Sequence, residues 1–306
     1  MKLTQHIYFY KGLDYVPLFG LTSSNTCVIR GERLTMVDPG PSVGPHLWRV
    51  EKAMKQDHLR LDNVMKIILT HAHPDHAQGL HALAGRLVEQ TYCHPFEKRI
   101  LQDPRRMWDE EYDCIGPFER ELMILPRAWI EWLARRMYGA MRPVAENVVP
   151  VRDGAVLNLG IPARVVELPG HRPGEIGIHL PGEKALIIGD LINWDMFDIP
   201  ALNMPTSDLR QAMASLNTIR NMDVELLVPA HDEPVRGRMK IREWLDAALD
   251  RCARMLRDAE QALSEHPDIP LSRLGRILAA GSRHHSFFHR RMLAFNVLKA
   301  LNRDDG

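Results

Sequence analysis

The sequence predicts an α/β sandwich with its working site at the carboxyl ends of the strands, and three observations lead there. Short apolar runs alternate with helical patterns through both halves of the 306-residue chain. Residues 64–69, Val-Met-Lys-Ile-Ile-Leu, form a nearly continuous apolar run of the kind buried on both faces of a sheet. That run stops at Thr70, where a histidine-rich turn begins.

The elements follow in order. Residues 26–29 and 34–37 read as strands, β-branched and bounded by Gly31 and by the turn Asp38-Pro39-Gly40. Residues 46–54 look helical, and a helix over about 76–84 should follow the histidine-rich turn, then a strand over 87–92. In the second half, residues 164–168, 176–180, 185–188 and 225–228 read as strands, with Pro181-Gly182-Glu183 as a turn. A helix over 207–221 has Ser207 or Asp208 near its N-cap. Residues 95–145 are rich in Met, Trp and Arg, with helical spacing around Trp129, Leu133 and Met137. Residues 239–306 look wholly helical: Ile241, Trp244, Leu245, Ala248, Cys252, Met255, Leu256, Ala259 and Leu263 recur at three- and four-residue steps until Pro267 and Pro270 interrupt. The organisation expected is a catalytic domain over 1–238, with a helical insertion at about 95–145, and a helical C-terminal subdomain over 239–306.

Composition narrows the function classes. With 45% hydrophobic and 25% charged residues a sizeable core is expected. The 39 basic and 39 acidic residues cancel, which argues against a protein whose main task is gripping nucleic acid or an anionic membrane. Cys27, Cys93, Cys114 and Cys252 lie far apart, with no CxxC pair, as reduced thiols of a cytoplasmic protein would. No signal-peptide pattern opens the sequence and no apolar run is long enough to span a bilayer, so a cytoplasmic location is expected.

The run Thr70-His71-Ala72-His73-Pro74-Asp75-His76 carries the chemistry. Pro74 biases Ala72-His73 towards an extended shape, so that His71 and His73 project in roughly one direction. Asp75 and His76 fall where the next helix begins. Such a density of imidazoles and carboxylates at the end of a buried strand is costly without a metal, and these ligand types suit zinc, iron or manganese. Three further ligand-type residues end predicted strands: His171 after Gly170, Asp190 after Gly189 and His231 after Ala230, each small neighbour permitting close backbone approach. The single histidines His6, His46, His58, His81, His94, His179 and His266 read as surface or hydrogen-bonded residues. His284, His285 and His289 read as the start of the last helix rather than as groups at the site mouth.

From about Asn25 to Val235 the chain resembles the metallo-β-lactamase superfamily, through HxHxDH followed by Gly-His, Gly-Asp and Ala-His at strand ends, with the Asp38-Pro39-Gly40 turn also matching. The resemblance implies a four-layered αββα sandwich with the metals at one rim. By motif position it implies that His71, His73 and His171 hold one metal, that Asp75, His76 and His231 hold a second, and that Asp190 bridges them. Two divalent ions are implied, zinc first, with iron or manganese as alternatives. The chemistry implied is hydrolysis by a metal-bridging hydroxide, with Asp75 and Asp190 as catalytic carboxylates.

The layout is similar to the glyoxalase II-like branch, a sandwich followed by a helical region, whose members include thioesterases and lactonases. Leu191-Ile192-Asn193-Trp194 replaces that branch's Gly-Cys-Gly-Arg-type run, which argues against glutathione thioesters and persulfides. The insertion reads either as a lid over an acyl pocket or as residues that pack on the sandwich or form a homodimer interface, and the loop 193–200 should line the site. A small-molecule ester, thioester or lactone with an apolar acyl group is therefore expected. Phosphodiester hydrolysis is an alternative, favoured by the acid-free, arginine-rich stretch 271–303; a mono-iron oxidoreductase and a non-catalytic metal-binding protein are others.

Overall fold

The computed structural model describes residues 1–12, 23–42, 44–83, 88–115, 122, 126–144, 147–192, 202–280 and 287–302. Two six-stranded mixed sheets pack face to face, with helices on both outer faces. The first sheet runs in chain order: β1 (Ile7–Tyr10), β2 (Thr26–Arg30), β3 (Leu34–Val37), β4 (Val64–Ile68), β5 (Gln90–Cys93) and β6 (Val148–Pro150). The second comprises β7 (Val156–Asn158), β8 (Pro162–Glu167), β9 (Ile176–Leu180), β10 (Ala185–Ile187), β11 (Leu226–Val228) and β12 (Val235–Arg236), again with sequential strands paired.

Strand alternation builds the layers. In β1, Ile7 and Phe9 enter the core between the sheets, while Tyr8 and Tyr10 join the core on the outer face. In β4, Ile68 points between the sheets and Ile67 outwards, so the apolar run is buried on both faces as expected. The outer core of the first sheet takes Val50 and Met54 from α1 (His46–Gln56), Leu80 from α3 (Gly79–Ala82), Ile100 and Leu101 from α4 (Pro95–Gln102) and Met107 from α5 (Arg105–Ile115). Between α1 and α4 also lies α2 (Pro74–Ala77). The insertion ends with α6 (Arg127–Tyr138).

The outer face of the second sheet is covered by α7 (Leu209–Asn221), α8 (Arg238–Glu265), α9 (Leu271–Leu278) and α10 (Phe287–Leu301). The 28-residue α8 buries Ile241, Leu245, Ala248, Cys252, Met255, Ala259 and Ala262, a stripe at alternating four- and three-residue steps. Burying each large side chain of that stripe contributes about 1.5–3 kcal/mol. Among the described residues no helix is long and apolar enough to cross a membrane.

Several elements depart from the sequence expectations. The helix expected over 76–84 is two short ones, α2 and α3, divided at Gln78, and residues 84–87 lie outside those described. The helix expected from 207 begins at Leu209, with the Asp208 carboxylate accepting from Gln211 N at 3.0 Å as its N-cap. β1, β6, β7 and β12 have no counterpart in the sequence pattern; each has two to four residues, too few to show a period. The loop 193–200, His284 and His285 lie outside the described residues, while His289 sits in α10.

Candidate metal centre

Sheet register places the site. β3 and β4 are parallel with Val37 beside Ile68, so Asp38 and Thr70 emerge together at one rim. β10 and β11 are parallel with Ile187 beside Val228, which brings out Asp190 and His231 at the same level, three residues after each. β8 and β10 are both antiparallel to β9, so β8 ends at this rim too and delivers His171. His73 is extended at φ −62 and ψ 150, as the following proline dictates, and Pro74 opens α2 so that Asp75 and His76 occupy its first turn.

All seven sequence-predicted residues converge. His71, His73 and His171 form one group, His71, His76 and Asp190 a second, and Asp75, His76 and His231 a third; within each, one nitrogen or oxygen per residue lies within 4.8 Å of the others. His73 Nδ1 stands 3.0 Å from His71 Nε2 and 2.9 Å from His171 Nε2. A neutral imidazole has one N–H and one lone pair, so three ring nitrogens facing each other cannot all be satisfied by hydrogen bonds. A cation between them would satisfy all three. Asp190 turns Oδ1 towards His76 Nε2 at 3.1 Å and His231 Nε2 at 3.2 Å, and Oδ2 towards His171 Nε2 at 3.7 Å. Asp190 thus faces both sides of the cluster, one oxygen towards His76 and His231 and the other towards His171. His76 Nε2 and Asp190 Oδ1 are buried without a hydrogen-bond partner, and Asp75 Oδ2 lies 3.5 Å from His231 Nε2. These imidazoles and carboxylates fit a pair of divalent ions.

Electrostatics divide the cluster. Burial pushes His71 and His73 well below the ordinary imidazole value, and the neighbouring histidines push the same way. Burial opposes charge on His76 and His231 as well, but nearby carboxylates outweigh it. Asp190, Asp75 and Asp38 hold His76 well above its usual value, and Asp190 with Asp75 raises His231 to about 10. Burial would raise Asp190, yet His231 and His76 hold it well below the carboxylate range.

Supporting residues fix these side chains, and sequence reasoning missed most of them. Asp38, read only as part of a turn, adopts φ +50 and accepts from Thr70 N at 2.9 Å, Thr70 Oγ1 at 2.7 Å and His76 Nδ1 at 2.9 Å. It thereby sets the tautomer that leaves His76 Nε2 facing Asp190. The burial and positive φ of Asp38 mark it in the structure, but the Asp38-Pro39-Gly40 turn alone carries no such signal in the sequence. Glu175 Oε1 accepts from Leu191 N at 2.9 Å, pinning the residue after Asp190. Gly189 must be small: a Cβ there would stand 2.7 Å from Glu175 Oε1 and 2.9 Å from Thr70 Oγ1. Gly170 also permits close approach, but to Ala212 of α7 rather than to the site. Asn25 ties the two sheets behind His231, donating from Nδ2 to Pro229 O at 3.1 Å and Asp232 O at 2.9 Å. Among the single histidines, His46 is buried between Ser23 Oγ and Thr26 Oγ1, a hydrogen-bonded structural residue, and burial lowers it to about 4.

The family description of the metallo-beta-lactamase superfamily matches residues 19–231. A probable metallo-hydrolase of Bacillus subtilis, YqjP, is 22% identical over 247 residues, covering 78% of this chain and 76% of the relative. A linear primary-alkylsulfatase of a Pseudomonas species is 26% identical over 246 residues, covering 74% of this chain but only 43% of that larger protein. Among solved structures, a metallo-beta-lactamase family protein from Thermus thermophilus superposes with a TM-score of 0.74 at 20% identity, covering 100% of this chain and 95% of the other. A beta-lactamase domain protein from Burkholderia ambifaria gives 0.71 at 18% identity, covering 100% and 88%. Architecture, rim site and family match agree: the chain belongs to the metallo-beta-lactamase superfamily.

Proposed function

We propose that the protein is a binuclear metal-dependent hydrolase of an ester, thioester or lactone with an apolar acyl group. His71, His73 and His171 would hold one ion, Asp75, His76 and His231 the other, and Asp190 would bridge them. The observation that carries this reading is the pair of facing donor groups with Asp190 turned to both. A divalent pair, zinc first among the candidates, would lower the pKa of water at the site towards neutrality and polarise the substrate oxygen. The chain's own residues do the rest. Asp75, more exposed than Asp190, is placed to take and pass on a proton at its carboxylate. Asp38 and Glu175 keep His76 and the Asp190 strand end in place.

A cavity of about 1000 Å³ supports a small-molecule substrate: walled by the insertion, it reaches the histidine-rich turn at Pro74, beside His73, and at Gln78, although none of the seven proposed ligands lines it. Trp108 and Met141, partly buried at the wall of the cavity, offer apolar surface for an acyl chain and support the lid reading of the insertion, while Met107 packs into the sandwich core. Arg105, Arg127 and Arg135 line the same cavity. Arg105 pairs with Asp103 and Arg127 with Asp109 and Glu131, so it is Arg135, with the alkylsulfatase relative, that supports as a second reading an alkyl ester of an anionic group such as sulfate. The domain division at 238, a glyoxalase II-like placement and a cytoplasmic setting belong to this proposal.

Elemental analysis coupled to a screen of acyl-CoA, lactone, alkyl sulfate and phosphodiester substrates tests it. About two metal equivalents and turnover of an acyl substrate are expected, with turnover lost in His71→Ala and Asp190→Ala. Less than one equivalent after metal is supplied, or turnover surviving both substitutions, overturns the reading.

A further inference from the structure

Arg172 follows His171 directly, and its side chain is fully buried. Three insertion carboxylates surround it: Glu97 from α4, with Oε1 3.6 Å from Nε, Glu110 from α5, with Oε2 3.7 Å from Nη2, and Glu111 from α5, which accepts from Nη1. Glu97 uses its other oxygen to accept from Ala72 N at 2.9 Å, and Ala72 separates His71 from His73. Glu111 accepts from Thr206 N at 2.8 Å and from Thr206 Oγ1 at 2.7 Å. The next residue, Ser207, donates from Oγ to the His171 carbonyl at 3.0 Å. The chain of contacts therefore begins at His71–His73 and ends at His171.

A buried guanidinium among carboxylates is an expensive anchor. Arg172 Nε and Nη2, Glu97 Oε1 and Glu110 Oε2 all lack hydrogen-bond partners, so an apolar plug of the same volume would hold the helices at lower cost. What an apolar plug would lack is charge and a directed bond: Nη1 donates to Glu111 of α5, while Nε and Nη2 face Glu97 of α4 and Glu110 of α5 at 3.6 and 3.7 Å, and together these tie both helices to the histidine loops. The second donor group is held by other residues, with Asp38 on His76 and Asn25 behind His231.

We propose that Arg172 is a positioning residue for the three-histidine group alone, transmitting the placement of α4 and α5 to His71, His73 and His171. The proposal rests on the metal-hydrolase reading above. Because α5 also presents Trp108 and Asp109 to the cavity, the wall that would touch substrate and the helix that sets these histidines are one element.

The test is a cobalt(II) titration of the full chain, stripped with chelator, following the visible d–d bands, with thermal melts of the metal-free protein alongside. Arg172→Lys keeps the charge without the fork, and Glu97→Gln keeps an acceptor for Ala72 N without the charge. In both, one cobalt equivalent should bind about 10–100-fold more weakly, with an altered d–d band, while the other binds as in wild type. Wild-type affinity and spectrum for both equivalents would overturn the proposal, as would equal weakening of both. Loss of the folded metal-free state in both variants would overturn it too, since Arg172 would then hold the fold rather than three side chains. Wild-type protein binding less than one equivalent would instead sink the hydrolase reading itself.

Discussion

Asp38→Asn keeps shape and removes one buried charge, and it isolates how His76 is oriented. The carboxylate accepts Thr70 N on Oδ1 and both Thr70 Oγ1 and His76 Nδ1 on Oδ2. An asparagine that keeps the first bond turns its NH₂ towards the other two donors. Hydrogen bonds to charged groups contribute about 1.5–3 kcal/mol each, but two relaxations offset part of that loss. The Thr70 hydroxyl can rotate to accept, and His76 can move its proton to Nε2. That second relaxation is the damaging one, because it turns the atom 3.1 Å from Asp190 Oδ1 from an acceptor into a donor. Loss of a carboxylate behind a ligating histidine typically weakens metal binding about 10–100-fold, equivalent to about 1.4–2.7 kcal/mol. Asparagine tolerates the positive φ of Asp38, so backbone strain does not confound the comparison. Chelator competition on the full chain should show one metal equivalent weakened by that factor. Wild-type affinity for both equivalents would refute the argument that Asp38 governs the His76 tautomer.

Four further outcomes follow from the structure. Because His231 is raised to about 10 and His76 well above its usual value, the metal-free protein should be protonated at both near neutral pH. The His231 contribution is complete below the unfolded imidazole value of about 6.5 and is lost as pH rises through about 10, and the raised His76 is lost in the same direction, so metal-free melting temperatures should fall as pH rises across that window. Metal binding near neutral pH should release protons, seen as a dependence of calorimetric heat on the buffer's ionisation enthalpy; no dependence would contradict it. Gly189→Ala should cost about 1–3 kcal/mol in denaturant unfolding, because the new Cβ meets Glu175 and Thr70; an unchanged midpoint would show that both yield freely. Replacing Trp129 and Trp132 by Ser should change stability by no more than about 0.5 kcal/mol each, since the residues are 62% and 58% exposed, and a larger loss in thermal melts would show that they are covered in solution.

Much of the layered fold is legible because burial imposes a period. Residues 34–37 and 176–180 match β3 and β9, and the stripe on α8 appears at the expected positions, since each faces a continuous apolar layer. All seven residues proposed as ligands also stand out, because metal-binding side chains are rare at strand ends. The supporting shell does not. Arg172 and Glu97 look like ordinary surface charges in sequence, and only contacts 75 residues apart bury them together. Glu175 and Asp38 sit in turns whose composition already accounts for them. A hydrogen bond between distant segments leaves no local period, so the residues that orient the site were hidden although those at its centre were not.

The three donor groups share an arithmetic that bears on how the protein assembles. Each draws two residues from before position 77 and one from after position 170: His71 and His73 with His171, His71 and His76 with Asp190, Asp75 and His76 with His231. Neither sheet, with its own turns, retains three donors of any group. Among the described residues, a chain that has made only its first sheet therefore holds two donors of each group, His71 with His73, His71 with His76 and Asp75 with His76, and completes none until the second sheet supplies the third. Capture of the ions would come last, after the two sheets have closed on one another, and would mark the moment at which the chain is whole.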